Sequence, residues 1–156
     1  MQSISPETIF RGDYAWEKSL PKITEFTKTP LILGRGINTK NLRNKIFIDL
    51  KNQDLNVNSS NLQFDCCYED ISRVKNLILK NNHDSVIAAG GGKVLDAGKY
   101  LADCLNIPCI TIPFSASTCA GWTALSNIYT KDGQFIKDVV VRSLSLIHIS
   151  EPTRQP

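Results

Sequence analysis

The run Gly90-Gly91-Gly92-Lys93, with Asp96 and Lys99 just beyond it, is where residue type and spacing in this chain point to chemistry. An apolar stretch, Ser85 to Ala89, precedes the glycines. Lys93 to Asp103 follows them, with apolar residues at Val94, Leu95, Ala97, Leu101 and Ala102. That order predicts a buried strand, a glycine turn and an amphipathic helix. The first N–H groups of a helix have no partner inside it and point out of its end, where the peptide dipoles add partial positive charge. Glycines at that end remove Cβ atoms, so a phosphate oxygen can approach the backbone, and Lys93 adds a point charge beside them. The expected ligand of Gly90, Gly91, Gly92 and Lys93 is a phosphate or pyrophosphate. The plainer alternative is a tight strand-to-helix turn that binds nothing, since the run matches neither GxGxxG nor the GxxxxGK[ST] of a P-loop. Asp96 and Lys99, at i and i+3, equally suit a solvent-facing ion pair.

The elements that must position this turn alternate along the chain. Pro30 to Gly34 reads as a compact strand ending in Gly-Arg-Gly, and Asn38 to Leu50 as a helix with Leu42, Ile46 and Leu50 on one face. Leu62, Phe64 and Cys66 alternate as a strand would, and Asp70 to Lys80 is amphipathic through Ile71, Val74, Leu77 and Ile78. Pro108 to Ser115 supplies a further strand of β-branched character. Strand and helix at this spacing define an α/β fold with a parallel, layered sheet. Beyond Ser115 the apolar runs Ala124 to Tyr129 and Phe135 to Val141 flank Lys131-Asp132-Gly133, a β-hairpin signal. Near the start, Gly12-Asp13 marks a turn after an early strand or hairpin, and Tyr14 to Phe26 has helical character that Pro21 is expected to interrupt.

Bulk properties narrow the class. A chain of 156 residues suits one domain or part of a larger protein, and 18 basic against 15 acidic side chains give a net charge of +3. No Lys/Arg block forms a concentrated basic face, so nucleic acid is not an expected partner. The five cysteines, Cys66, Cys67, Cys104, Cys109 and Cys119, are odd in number and lack a CxxC pair, which argues against a disulfide framework or zinc ribbon and for reduced thiols in the cytoplasm. The N-terminus has no apolar leader segment, and no run approaches the ~18 apolar residues of a membrane span. His83 follows a helix end and reads as a neighbour of the cap. Cys66 and Cys67 cannot both face one side of a strand, which argues against a metal site there. Trp16 and Trp122 read as packing groups, with Trp122 beside the loop after Ser115. The stretch Arg142 to Pro156, "RSLSLIHISEPTRQP", differs from what precedes it, and "SLIHISEPTR" resembles the translation of sequencing-adapter read-through. Residues 143–156 are therefore expected to be a non-native tail that informs no fold assignment, and His148 within them is not read as a metal ligand.

"AAGGGKVLDAGKYLAD" and "PCITIPFSASTCAGWTALSNIYTKDGQF", with the alternation ahead of them, resemble the N-terminal domain of the iron-containing alcohol dehydrogenase superfamily, in its glycerol dehydrogenase branch. The resemblance implies a Rossmann-like dinucleotide-binding domain over residues 1–142, with the helical C-terminal domain of the family missing. The implied activity is NAD-dependent oxidation of a small alcohol or polyol, assisted by a zinc or iron ion whose ligands belong to that C-terminal domain. The full-length enzyme would be a cytoplasmic homo-oligomer, and the part present here inactive by itself. Carried over by motif, Gly91, Gly92 and Lys93 would contact the pyrophosphate and Asp96 would help fix the cofactor. Ser117, Thr123, Leu125 and Tyr129 would line the dinucleotide site, although Ser117 also suits a turn cap and Leu125 and Tyr129 the core. Three departures stand out. Phe114 replaces a common Thr, which removes a cofactor hydrogen bond. Cys119 occupies the place of a polyol-binding Asp and is a poor acceptor for hydroxyls. Arg35 lies near the place of a ribose-binding Asp and can accommodate a 2′-phosphate, so NADP is a further expected cofactor; a solvated loop charge is the other reading. Alternatives are a relative of 3-dehydroquinate synthase or glycerol-phosphate dehydrogenase, or a stand-alone nucleotide-binding module.

Overall fold

Strands built almost wholly from aliphatic residues form the centre of the sheet, because both of their faces are covered. In the computed structural model, which describes residues 6–114, 120–121, 123–142 and 147–150, β2 (Pro30–Gly34) and β4 (Ser85–Gly90) are buried at every position. With β1 (Thr8–Arg11), β3 (Asn58–Asn61), β5 (Cys109–Pro113) and β8 (Ile147–Ser150) they make a six-stranded sheet in the order β1-β8-β5-β4-β2-β3. Every pairing in it is parallel. A two-stranded antiparallel hairpin, β6 (Leu125–Tyr129) and β7 (Phe135–Val140), stands apart from it.

Alternate residues of each strand feed two cores. Ile32, Ile87, Ile110, Ile147 and Ile149 pack with Trp16 and Ile23 of α1 (Ala15–Phe26) and with Ile46 and Leu50 of α2 (Lys40–Lys51). Leu31, Leu33, Val86 and Ala88 point the other way, against Val74 and Ile78 of α3 (Tyr68–Asn81) and Leu95 and Leu101 of α4 (Gly92–Leu105). The result is a three-layer α/β/α sandwich, as alternation in the sequence predicts.

Two expectations are corrected. Pro21 lies inside α1 without ending it. Its ring is on the exposed side while Ala15, Trp16, Ser19 and Ile23 are buried on the other, so packing holds the helix through one missing hydrogen bond that faces water. The strand expected from Leu62, Phe64 and Cys66 is a loop, and the strand lies earlier, in the polar Asn58–Asn61 at the sheet edge. An edge strand paired on one side needs no apolar alternation. Residues 147–150 form β8, which lies between β1 and β5, with Ile147 and Ile149 in one core and buried His148 beside Thr111 Oγ1 at 2.9 Å on the opposite face.

Candidate functional site: a glycine cradle at the sheet's switch point

Chain direction reverses at β2. The connection through α2 leads outward to β3, and the next, through α3, returns to β4 on the other side of β2. Helices α2 and α4 therefore leave the carboxyl ends of neighbouring strands toward opposite faces. This opens the crevice where open α/β sheets bind ligands. A cavity of about 500 Å³ occupies it, lined by Gly90 to Val94 on one side and by Arg35, Gly36, Asn38 and Thr39 on the other.

Each glycine has its own reason to be there. Gly91, the N-cap of α4, is extended at φ −81° and ψ −176°, and its side-chain cap bond is absent, so the helix N-terminus is left to backbone N–H groups. A Cβ built on Gly91 meets nothing within 4 Å and would stand in open space. Gly98, about two turns on, is packed so tightly on β4 that a Cβ would collide with the Ala88 methyl. Close contact between α4 and β4 thus aims the helix end at the crevice.

The rim is charged. Lys93 Nζ lies 2.9 Å from Asp65 Oδ2 and 4.9 Å from the centre of the Tyr129 ring, and Arg35 Nη1 lies 2.7 Å from Asp65 Oδ1. Arg43 is buried under the loop after β2 and donates to the carbonyls of Arg35 at 3.1 Å and Gly36 at 2.6 Å and to the Thr39 hydroxyl. Burial lowers its pKa from the ordinary guanidinium value. A second cavity, of about 560 Å³, shares Arg35 and Gly36 with the first and adds Lys40, Arg43, Asn61 and Gln63, with no carboxylate in its lining.

Asp96 and Lys99 form a buried pair, which corrects the solvent-facing alternative. Lys99 is 1% exposed, with Nζ 3.4 Å from Asp96 Oδ1. Nζ also donates to the carbonyls of Thr123 at 2.9 Å and Leu125 at 2.6 Å, while Asp96 Oδ2 accepts the Asn127 N–H at 3.2 Å. The pair fastens β6 to α4. Burial raises the Asp96 pKa, more than Lys99 and the Asn127 N–H lower it.

Gly91, Gly92 and Lys93 thus line the cavity, and Tyr129 reaches it through Lys93. Asp96, Thr123 and Leu125 meet one another through Lys99, on the hairpin side of α4. Ser117 and Cys119, with Trp122, lie outside the described residues. Phe114 packs against the core that contains α1 and α2. His83 sits at the far end of the strands, with Nδ1 3.0 Å from the Thr29 carbonyl. Cys66 and Cys67 are buried in a loop, and burial pushes the Cys66 thiol up to about 12. Asp65 and Arg43 were not singled out by the sequence. The absence of any acidic residue between Pro30 and Ile48 to balance Arg35 and Arg43 was the available signal for Arg43, and Asp65 had none.

Comparison with known proteins agrees with this arrangement. The model of the iron-containing alcohol dehydrogenase family matches residues 6–147, and the chain belongs to that family. Glycerol dehydrogenase 1 of Schizosaccharomyces pombe is 28% identical over 134 residues, which covers 85% of this chain and 30% of that protein. Glycerol dehydrogenase of Thermotoga maritima is 42% identical over 71 residues, 46% of this chain and 19% of the relative. The crystal structure of glycerol dehydrogenase from Schizosaccharomyces pombe superposes with a TM-score of 0.84 at 25% identity, over 97% of this chain and 38% of that one. The chain spans less than a third of the length of the curated relatives it matches.

Proposed function

We propose that this chain is the dinucleotide-binding part of an alcohol or polyol dehydrogenase of the glycerol dehydrogenase kind, with residues 1–142 as its binding unit. The open space over Gly91 at the switch point carries the reading, because a glycine that no neighbouring atom requires is explained by something that approaches its backbone. The residues fit a pyrophosphate: N–H groups at the start of α4 would hold it, with Gly91 and Gly92 allowing the approach and Lys93 and Arg35 supplying charge. A bound nicotinamide dinucleotide, NAD or NADP, supplies the hydride acceptor for oxidation of the alcohol. Tyr129 would border it beside Lys93. Asp96 would act through α4 and the hairpin, whereas Ser117, Thr123 and Leu125 would line the site and Cys119 would face the alcohol. Among the described residues no three His, Cys, Asp or Glu side chains gather where they could hold a metal ion.

A preference for NADP over NAD is supported by the second cavity, where Lys40 and Arg43 add positive charge beside Arg35, itself paired with Asp65, and suit a phosphate on the adenosine ribose. Fluorescence titration of the chain with NADH and NADPH tests both points. NADPH is expected to bind the more tightly, and tenfold tighter NADH would remove the preference. Gly91→Ala provides the sharper test. Its backbone angles suit alanine, which offsets alanine's weakness as an N-cap, so stability should stay within about 1 kcal/mol of the parent. Dinucleotide affinity should fall about tenfold or more, because the methyl group occupies the approach. Unchanged affinity in a folded Gly91→Ala variant would leave only a tight turn.

A further inference from the structure

Asp65 lies in the loop between β3 and α3, and its side chain is 8% exposed. Both rim cations end on it, Arg35 at 2.7 Å and Lys93 at 2.9 Å. These cations come from the residue after β2 and the first turn of α4, on the two sides of the crevice, and they line the cavity, whereas Asp65 is not among its lining residues. The loop is pinned on both sides of the carboxylate. The Phe64 N–H donates to Asp70 Oδ2 at 2.7 Å, and the Tyr129 N–H donates to the Cys66 carbonyl at 2.8 Å. The hairpin turn closes over it, since a Cβ on Gly133 would come within 3.3 Å of Asp65 Oδ2.

We infer that Asp65 is the cradle's internal counter-ion, a positioning residue that limits how tightly the rim holds a diphosphate. The inference rests on the reading of the cradle as a diphosphate site. Arg35 and Lys93 bring two positive charges and Asp65 cancels one. A ligand oxygen that reaches either cation competes with a carboxylate already in contact. Because that carboxylate is fixed by backbone hydrogen bonds on either side, it does not swing away at no cost. A dinucleotide that carries hydride must leave as well as bind, and a half-neutralised rim serves both steps.

Asp65→Asn keeps the shape of the side chain and removes its charge. Titrated calorimetrically with inorganic pyrophosphate at low salt, the full chain carrying Asp65→Asn is expected to bind about tenfold tighter than the parent, with a steeper loss of affinity as salt is added. Adding Arg35→Gln restores the parent's rim charge, and the double variant should return to within about twofold of the parent. A brace with no electrostatic role would give neither the tightening nor the return. Equal or weaker binding by Asp65→Asn, against a parent that binds, overturns the inference and leaves the cradle reading standing. If neither protein binds pyrophosphate and the parent binds no NADH, the cradle reading falls and this inference with it. Should Asp65→Asn unfold alone, by circular dichroism, the comparison moves to the Arg35→Gln background. There Asp65→Asn should again tighten binding about tenfold, and no gain overturns the inference.

Discussion

Lys99 shows how much one buried charge organises here. Its ammonium reaches the carboxylate of Asp96 and the backbone carbonyls of Thr123, just before β6, and Leu125, at its start, so this side chain joins the Asp96 contacts to Ser126 and Asn127 in holding the hairpin against α4. Lys99→Met leaves the Asp96 carboxylate buried without its cation and should cost about 3–5 kcal/mol at neutral pH by urea denaturation. Asp96→Asn should cost less, because Lys99 keeps the carbonyls of Thr123 and Leu125 as acceptors. The pH dependence has a definite sign. The pKa of Asp96 is already raised by burial, and loss of Lys99 removes an influence that lowers it. A carboxyl whose folded pKa lies above its unfolded one subtracts stability as pH rises from the ordinary carboxylate value through the folded value. The deficit of Lys99→Met should therefore shrink on acidification toward pH ~4, the ordinary carboxylate range. A deficit that does not change with pH would mean that Asp96 is not the group left exposed to the loss.

At the scale of elements, the β4–α4 unit is held by a close approach. Gly98→Ala drives a methyl group into Ala88 on β4, and should destabilise the chain by about 1–3 kcal/mol, with Ala88→Gly in the same chain returning part of the loss. The unit was legible in the sequence for a reason that applies equally to β2 and β5. A short aliphatic run can be buried on both faces only at the centre of a layered sheet, and glycine after it leaves few other local structures. The polar run Asn58–Asn61 carried no such signal, since an edge strand is defined by its neighbour β2 and not by its own side chains. The alternation of Leu62, Phe64 and Cys66 was coincidence, with Phe64 41% exposed while Leu62 and Cys66 are buried. Pro21 misled because a local rule about helix interiors was weighed without the tertiary packing that overrides it.

Across the whole molecule, the glycine turn and Arg35 were visible as candidate site residues because each lies directly after a recognisable strand. Asp65 was not. It lies in a loop whose alternation predicts a strand, and its partners come from the loop after β2 and the first turn of α4. The Asp96–Lys99 spacing was visible, but burial reversed its expected setting: the hairpin that covers the pair is distant in sequence from the helix that carries it. The sheet's most distant junction is that of β1 with β8, for among the described residues β1 pairs with no other strand. Ending the chain at Arg142 should therefore free β1. Hydrogen exchange at Ile9 to Arg11 is expected to become fast, while β2 and β4 stay protected by their own pairing; slow exchange at β1 in the shortened chain would contradict this.

The position of β8 also makes manufacture part of the fold. During synthesis β5 is complete long before Ile147 is added, and at about 5–20 residues per second its open edge waits for seconds. Through that interval the half-built sheet offers Ile110 and Ile112 to whatever strand arrives, including one from a neighbouring nascent chain on the same messenger. Elongation speed between Phe114 and Ile147 consequently acts as a folding parameter, one written in codons and not in amino acids.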